Sequence, residues 1–289
     1  MSKCSVTVII PTYNRGHLLP RIVESYLQPE VEKVLFIDDC SQDTTPIVLK
    51  ELAKRYPKVM YHRNARNLKQ AESKNIGLQK IDTPYVYFGD DDSYIEEGLI
   101  NELLDVLLTD EQCGLAAANA IYLDDDNKPI LKTQKEFVNL SNLNVNYTQA
   151  LERPASAIFC PACFLIQTDL ARSLKFDGKS FIGNCFREET DFVLRVSELG
   201  YKTVLVGQKA QINLPRSSST GGSHSASRIR YEYYALRNTI VLIRKHRSYL
   251  NQLGFPSTMR ILSGFLWSRM RATLSSVKPV YKLYERICK

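Results

Sequence analysis

At 289 residues the chain holds one large domain, or a domain with an appendage, and its 44% hydrophobic content supplies a full core. With 24% charged residues the composition excludes a disordered chain, and no run reaches the roughly 18 consecutive apolar residues of a membrane span. The net charge of +7 is unevenly placed: thirteen Lys and Arg stand against two Glu from Arg228 to Lys289, a balance of +11, so residues 1–227 carry −4. An acidic body with a basic end predicts two tasks within one chain.

Met1-Ser2-Lys3-Cys4-Ser5 runs straight into an apolar stretch, which predicts a chain without a signal peptide. Its seven cysteines are scattered, and reduced thiols in a cytosolic compartment are expected. Cys160-Pro161-Ala162-Cys163 has C-x-x-C spacing, but no second pair completes a zinc site; buried structural cysteines are the expectation.

In chain order, Val6–Ile10 is a β-branched run ended by Pro11-Thr12-Tyr13-Asn14, a buried strand and its loop. Leu18–Tyr26 has helical spacing, and Val34–Ile37 is a second strand ending in Asp38-Asp39. A helix over Pro46–Tyr56, a strand over Val59–Tyr61, a helix over Ala71–Gln79 and a strand over Pro84–Phe88 follow. Residues 119–150 are polar and predict an edge strand with a loop, before a helix over Glu188–Leu199 and a strand over Lys202–Val206. Ser217–Ser223 reads as an active-site loop or a hinge. Apolar strands alternating with helices predict a mostly parallel α/β sheet covered on both faces.

Acidic residues gather where strands two and four end, and ligands of open α/β sheets bind beyond those ends. Asp90-Asp91-Asp92 follows an apolar strand, and carboxylates two apart in extended chain face the same way. Three adjacent carboxylates call for a cation, and hard oxygen ligands suit Mg²⁺ or Mn²⁺; a solvated acidic turn is the simpler alternative. Asp39 can accept from a base N–H or a ribose hydroxyl, or cap the following helix with Asp38 or Ser41.

Val6–Arg15, Ile37–Thr45 and Phe88–Asp92, taken in order, resemble the family 2 glycosyltransferases of GT-A fold, which read V-S-V-I-I-P-T-Y-N, V-D-D-G-S-T-D-G-T and D-x-D. Ser73–Leu78 resembles their A-R-N-x-G-L segment, and Arg187–Arg195 their E-D-x-D-x-x-x-R helix. The resemblance spans residues 5–240. It implies a Rossmann-like GT-A domain over residues 1–227, with a nucleotide-sugar half to about residue 118 and an acceptor half after it, and a basic helical tail over 228–289.

The resemblance also implies an inverting transfer from a nucleoside-diphosphate sugar to a glycan or glycolipid hydroxyl, of the bacterial or archaeal surface-polysaccharide type. Pro11, Tyr13 and Asp39 would surround the base, Lys74 would hold the nucleotide or its diphosphate, and Asp90 and Asp91 would lie by the ribose. Asp92 and Asp90 would hold Mn²⁺ or Mg²⁺. Glu189 falls at the general base, and Asp191 would support the site or bind the acceptor. Cys40 replaces the family's Gly, and the metal-side His falls near Asn213, leaving His224 as a substitute ligand.

Tyr231–Leu250 and Met259–Leu274 have helical apolar spacing with Arg and Lys between. They predict either a helix in an anionic membrane interface or a helical pair packed on the domain. The enzyme is accordingly expected to be cytoplasmic and peripheral at the membrane, and nucleic acid is not an expected partner. Two competing readings are a nucleotidyltransferase, which lacks support because no Gly-rich phosphate loop follows the first strand, and an inactive GT-A scaffold.

Overall fold

The computed structural model describes residues 4–130, 137–148, 151–222 and 227–275. Its first half alternates strand and helix: β1 (Val6–Thr12), α1 (Leu19–Ile22) with a 3-10 turn over Val23–Tyr26, β2 (Val31–Asp38), α2 (Thr45–Arg55), β3 (Val59–Arg63), α3 (Lys69–Leu78) and β4 (Tyr85–Phe88). Next come β5 (Ser93–Ile95), α4 (Leu99–Thr109), β6 (Cys113–Tyr122), β7 (Val138–Asn139), β8 (Asn144–Val145), β9 (Ala155–Ser156) and β10 (Phe164–Gln167). The chain continues through α5 (Thr168–Leu174), α6 (Glu188–Glu198), β11 (Lys202–Asn213), α7 (Arg228–Lys245), α8 (Arg247–Gln252) and α9 (Thr258–Ser275).

One sheet runs β3-β2-β1-β4-β10-β6-β11-β5, with β9 beside β11. Its first four strands are parallel, as alternation with helices requires. Beyond β4 the directions mix: β10 is antiparallel to both neighbours, while β11 runs parallel to β6 and antiparallel to β5. Strand β11 continues to Asn213, well past its expected end, because its second part pairs with Ser93–Ile95 just after the acidic triad.

Period-two alternation sends side chains of each strand to two separate cores. Val8, Ile10 and Phe36 pack with Tyr26, Leu49 and Leu103 on one face. Ile9, Leu35 and Phe88 pack with Phe164, Phe176 and Phe192 on the other. Cys160 and Cys163 are free and buried.

A third core joins the C-terminal helices to the body: Phe159, Phe181 and Leu194 pack against Leu242, Ile243, Leu250, Phe255 and Ile261. The helical pair therefore packs on the domain, and a chain cut after Ser257 would lose buried Ile261 and Phe265. No helix among the described residues is long and apolar enough to cross a membrane.

Charge fastens the same joint. Asp191 on α6 is wholly buried and accepts from Arg195 (2.9 Å), Lys245 (2.9 Å) and His246 Nε2 (2.8 Å). Burial of the His246 ring opposes its charge, but hydrogen bonds to Asp191 and Glu198 outweigh that and hold its pKa above the ordinary 6.5. Burial likewise opposes the Asp191 charge, and the bonds from His246 and Lys245 outweigh it, holding that pKa below the ordinary 3.8.

A raised His pKa stabilises the fold fully below about pH 6.5 and ceases to do so as pH rises through the folded-state value. The lowered Asp191 pKa keeps its contribution down to the acid range. His246→Asn should therefore cost about 3 kcal/mol near pH 6. The gap between the thermal melts of the two proteins should be largest below about pH 6.5 and narrow as pH rises above it; a constant gap would mean that the charge on the ring contributes nothing.

Candidate active site

The loops that follow β1, β2 and β4 meet at one end of the sheet. The Asp39 N–H donates to Thr12 O and the Gly89 N–H to Ile9 O, each at 2.9 Å. Asn14, at φ 53°, turns the first loop so that its N–H reaches Ser41 Oγ (2.9 Å) while its Oδ1 accepts from the Gln42 N–H (2.7 Å). The Arg15 N–H completes the join at Thr45 Oγ1 (3.0 Å).

Asp39 is buried, and its carboxylate organises the start of α3. Oδ1 accepts from Leu68 N (2.7 Å) and Asn64 Nδ2 (3.0 Å), and Oδ2 from Lys69 N (2.8 Å). Two lone pairs per oxygen leave Oδ2 able to accept one further donor from the cleft. Asp38 points elsewhere, to Arg63 (2.6 Å) and the Ser41 N–H (2.9 Å). The N-cap position of α2 is Thr44, which makes no side-chain capping bond; the Thr45 N–H goes to Asp43 Oδ1 (2.9 Å) and not to Asp38, Asp39 or Ser41.

Asp90, Asp91 and Asp92 present carboxylate oxygens that lie within 4.8 Å of one another. Burial, then repulsion from Asp92 and Asp91, pushes the Asp90 pKa well above the carboxylate range. Burial pushes Asp91 up to about 6 against the pull of Arg15. Arg15 is itself buried and sits 2.9 Å from Asp92 Oδ2 and 3.6 Å from Asp91 Oδ1. Gly89 is tightly enclosed: a Cβ would lie 3.1 Å from both Ile10 and Tyr26, which would have to give way by a few tenths of an ångström. The Tyr26 hydroxyl braces the triad, 3.1 Å from Asp90 O and Ser93 O.

The chain after β11 closes over this end. The Leu214 N–H donates to Asp92 O (2.9 Å), which brings the Asn213 region beside the triad. The Gly222 N–H donates to Tyr13 O (2.9 Å), and a Cβ on Gly221 would lie 2.1 Å from Asn14 O. The Ser217–Ser223 stretch is thus docked on the first loop over its described part, as an active-site loop. His224 lies outside the described residues.

Together these loops line a cleft of about 440 Å³. Pro11, Tyr13, Asp39 and Asp90–Asp92 face it, joined by Arg15, Asn67, Gln70, Asn184, Arg230, Tyr231 and Tyr234. Sequence reasoning missed this second group. Arg15 ends the first motif and Gln70 is one turn before Lys74, so both had a local signal; Arg230, Tyr231 and Tyr234 had none, because only packing brings α7 to the cleft.

Two expected positions need correction. Lys74 does not face the diphosphate side of the cleft: it is buried and bonded to Glu188 Oε1 (3.1 Å) and Glu189 Oε1 (2.8 Å). Asp191 cannot touch an acceptor, since it is enclosed by Arg195, Lys245 and His246. Glu189 lies one residue behind the cleft wall, with Gln70 Nε2 donating to its Oε1. Burial pushes the Glu188 pKa up to about 8, against the pull of Lys74 and with repulsion from Glu189 adding to it.

An acidic triad and a buried aspartate at the strand ends of this α/β sheet, with an acidic helix behind them, fit the GT-A fold class. The model of glycosyl transferase family 2 matches residues 7–174, and the chain belongs to that family. It is 32% identical over 103 residues to the GalNAc(5)-diNAcBac-PP-undecaprenol beta-1,3-glucosyltransferase of Campylobacter jejuni, covering 34% of this chain and 33% of that protein. It is 28% identical over 102 residues to the minor teichoic acid biosynthesis protein GgaB of Bacillus subtilis, covering 34% of this chain and 11% of that protein. The matched region is thus a third or less of those relatives' length.

Among solved structures, S. aureus TarS 1-349 in complex with UDP-GlcNAc aligns over 91% of this chain and 71% of its own, with TM-score 0.59 and 19% identity. GalNAc-T7 with UDP, GalNAc and Mn²⁺ aligns over 83% of this chain and 48% of its own, with TM-score 0.62 and 16% identity. These likenesses establish the fold.

Cys40, where the family has Gly, adopts φ 64°. A side chain in that left-handed conformation costs about 1–2 kcal/mol. Cys40→Gly should raise stability by about 0.5–1 kcal/mol after the entropy of Gly is counted, seen as a melting point higher by about 2 °C. An unchanged or lowered melting point would show that the strain is absorbed elsewhere.

Proposed function

We propose that the protein transfers a sugar, with inversion, from a nucleoside-diphosphate sugar to a hydroxyl of a glycan or lipid-linked acceptor. The observation that carries this reading is the arrangement of one cleft: Asp39 and Asp90–Asp92 line it, and Glu189 stands directly behind Gln70. The ligands of the structural neighbours, UDP-GlcNAc in one and UDP, GalNAc and Mn²⁺ in the other, support a uridine-linked donor.

In this mechanism Asp39 accepts from the N–H edge of the base through its remaining lone pair, while Pro11 and Tyr13 bound the ring. The triad fits a divalent ion: its donors are hard oxygens within 4.8 Å, and repulsion from Asp92 and Asp91 adds to burial in raising the Asp90 pKa. Asp90 and Asp92 would hold Mn²⁺ or Mg²⁺, which supplies Lewis-acid charge for the departing diphosphate. Arg15, already at Asp92, keeps that carboxylate aimed and adds positive charge beside it. Glu189, held through Oε1 by Lys74 and Gln70, takes the acceptor proton as the new bond forms on the face opposite the leaving group.

Residues 1–227 carry this chemistry, Arg230, Tyr231 and Tyr234 complete the cleft, and the basic segment that begins at Arg228 holds the enzyme peripherally at the cytoplasmic face of an anionic membrane. The basic balance of that segment supports the second role.

Asp92→Ala should abolish the part of UDP affinity that depends on Mn²⁺, measured by titration with and without the ion. A mutant that keeps the metal-dependent increment would sink the ligand assignment. Glu189→Gln should bind donor normally and lose transfer by about 10²-fold or more. Normal transfer by that variant would remove Glu189 from the base position.

A further inference from the structure

Most of the exposed apolar side chains of the C-terminal helices lie near the contact between α7 and α9; Met259, at the start of α9, stands apart. Ile229 and Tyr233 on α7 are 85% and 63% exposed, and Leu266, Trp267 and Met270 on α9 are 42%, 54% and 54% exposed. Arg269 joins the two sets, donating to both Glu232 carboxylate oxygens (2.6 and 2.7 Å) and lying over the Tyr231 ring. Ile229 and Tyr233 are within one turn of Glu232, and Leu266, Trp267 and Met270 within one turn of Arg269. At 3.6 residues per turn, those three α9 residues occupy an arc of about 100°, opposite buried Ile261 and Phe265.

Positive charge surrounds this surface. Arg228, Arg230, Arg260 and Arg271 are exposed on the same helices, and Lys278, Lys282, Arg286 and Lys289 follow in the sequence. Of the two acidic residues after Arg228, Glu232 is already bonded to Arg269. The inner side of the same turn of α7 supplies Arg230, Tyr231 and Tyr234 to the cleft wall. One helical turn thus separates exposed apolar surface from the donor cleft.

We propose that α7 and α9 form a single docking face for an anionic lipid bilayer, which sets the mouth of the cleft at the membrane and selects a lipid-borne acceptor. Apolar side chains set among arginines match the two layers of such a surface, acyl chains below and anionic headgroups above. A second copy of this chain fits less well, because a two-fold contact would bring the arginine clusters together. The choice of acceptor rests on the glycosyltransferase reading; the docking face does not. The face includes α7, and so differs from a tail that merely tethers the enzyme.

Trp267 is the single tryptophan of the chain, so its emission reports on the face directly. With full-length protein and phosphatidylglycerol-containing vesicles, emission should shift to the blue and be quenched by acyl-brominated lipid. Pure phosphatidylcholine vesicles should give a much weaker response. An Ile229→Ser, Tyr233→Ser double variant keeps Trp267 and every cleft residue, and both changed side chains are exposed. It should lose at least about tenfold in vesicle affinity while hydrolysing UDP-sugars in solution at the parental rate.

Absence of quenching, or equal affinity of the double variant, overturns the proposal. A lipid-free dimer, detected by light scattering and abolished in the double variant, also overturns it by assigning the face to a second copy. Quenching without any sugar hydrolysis supports the docking face and counts against the catalytic reading instead.

Discussion

Lys74 is an ammonium group taken almost wholly out of water, and the site is organised around the two glutamates that compensate it. Removing such a charge from solvent costs several kcal/mol unless close partners offset it. Glu188 and Glu189, more than a hundred residues away in sequence, supply those partners at 3.1 and 2.8 Å, and together they hold the Lys74 pKa above its ordinary range. Both contacts cross from α3 to α6, and the shorter is the ion pair between Lys74 and Glu189. That pair ties α3 to the first turn of α6, so the acidic residue of the proposed base is located by a lysine on another element.

The same rod carries the nucleotide end. The first turn of α3 is held by the Asp39 carboxylate through Leu68 and Lys69 N–H, about one and a half turns before Lys74. A shift of Asp39 would therefore be transmitted to Glu189 through backbone hydrogen bonds and one buried ion pair. Arg15 and the triad form a second cluster and Asp191 with Lys245 and His246 a third, each linking segments distant in sequence. Buried ion pairs add little net stability, but breaking one is costly, and this favours a unique arrangement of the loops.

The third cluster decides the outer shape of the cleft. By fixing the C-terminal end of α7 to α6, it directs the N-terminal end of α7 across the loop Gly183-Asn184-Cys185. Arg230, Tyr231 and Tyr234 then become the wall opposite the triad. Helix α9 leans on that wall through Arg269 and Phe265, the latter 6.2 Å from the Phe186 ring. Segments that composition sets apart as a basic tail are therefore structural parts of the cleft.

The sequence by itself determined the parallel strands β1–β4, the helices between them and the acidic groups at their ends. Those features depend on local periodicity, on β-branched runs and on residues adjacent in the chain. It also marked the Glu188–Glu198 helix and both long C-terminal helices, whose apolar spacing is continuous. Only the tertiary structure decided that Lys74 turns inward, that Asp191 is enclosed, and that β10 enters antiparallel between β4 and β6. It alone brought Arg15 to Asp92 and α7 to the cleft. Each of these depends on contacts spanning tens to more than a hundred residues, where the direction of a side chain follows from the desolvation and pairing of charges that no local pattern encodes.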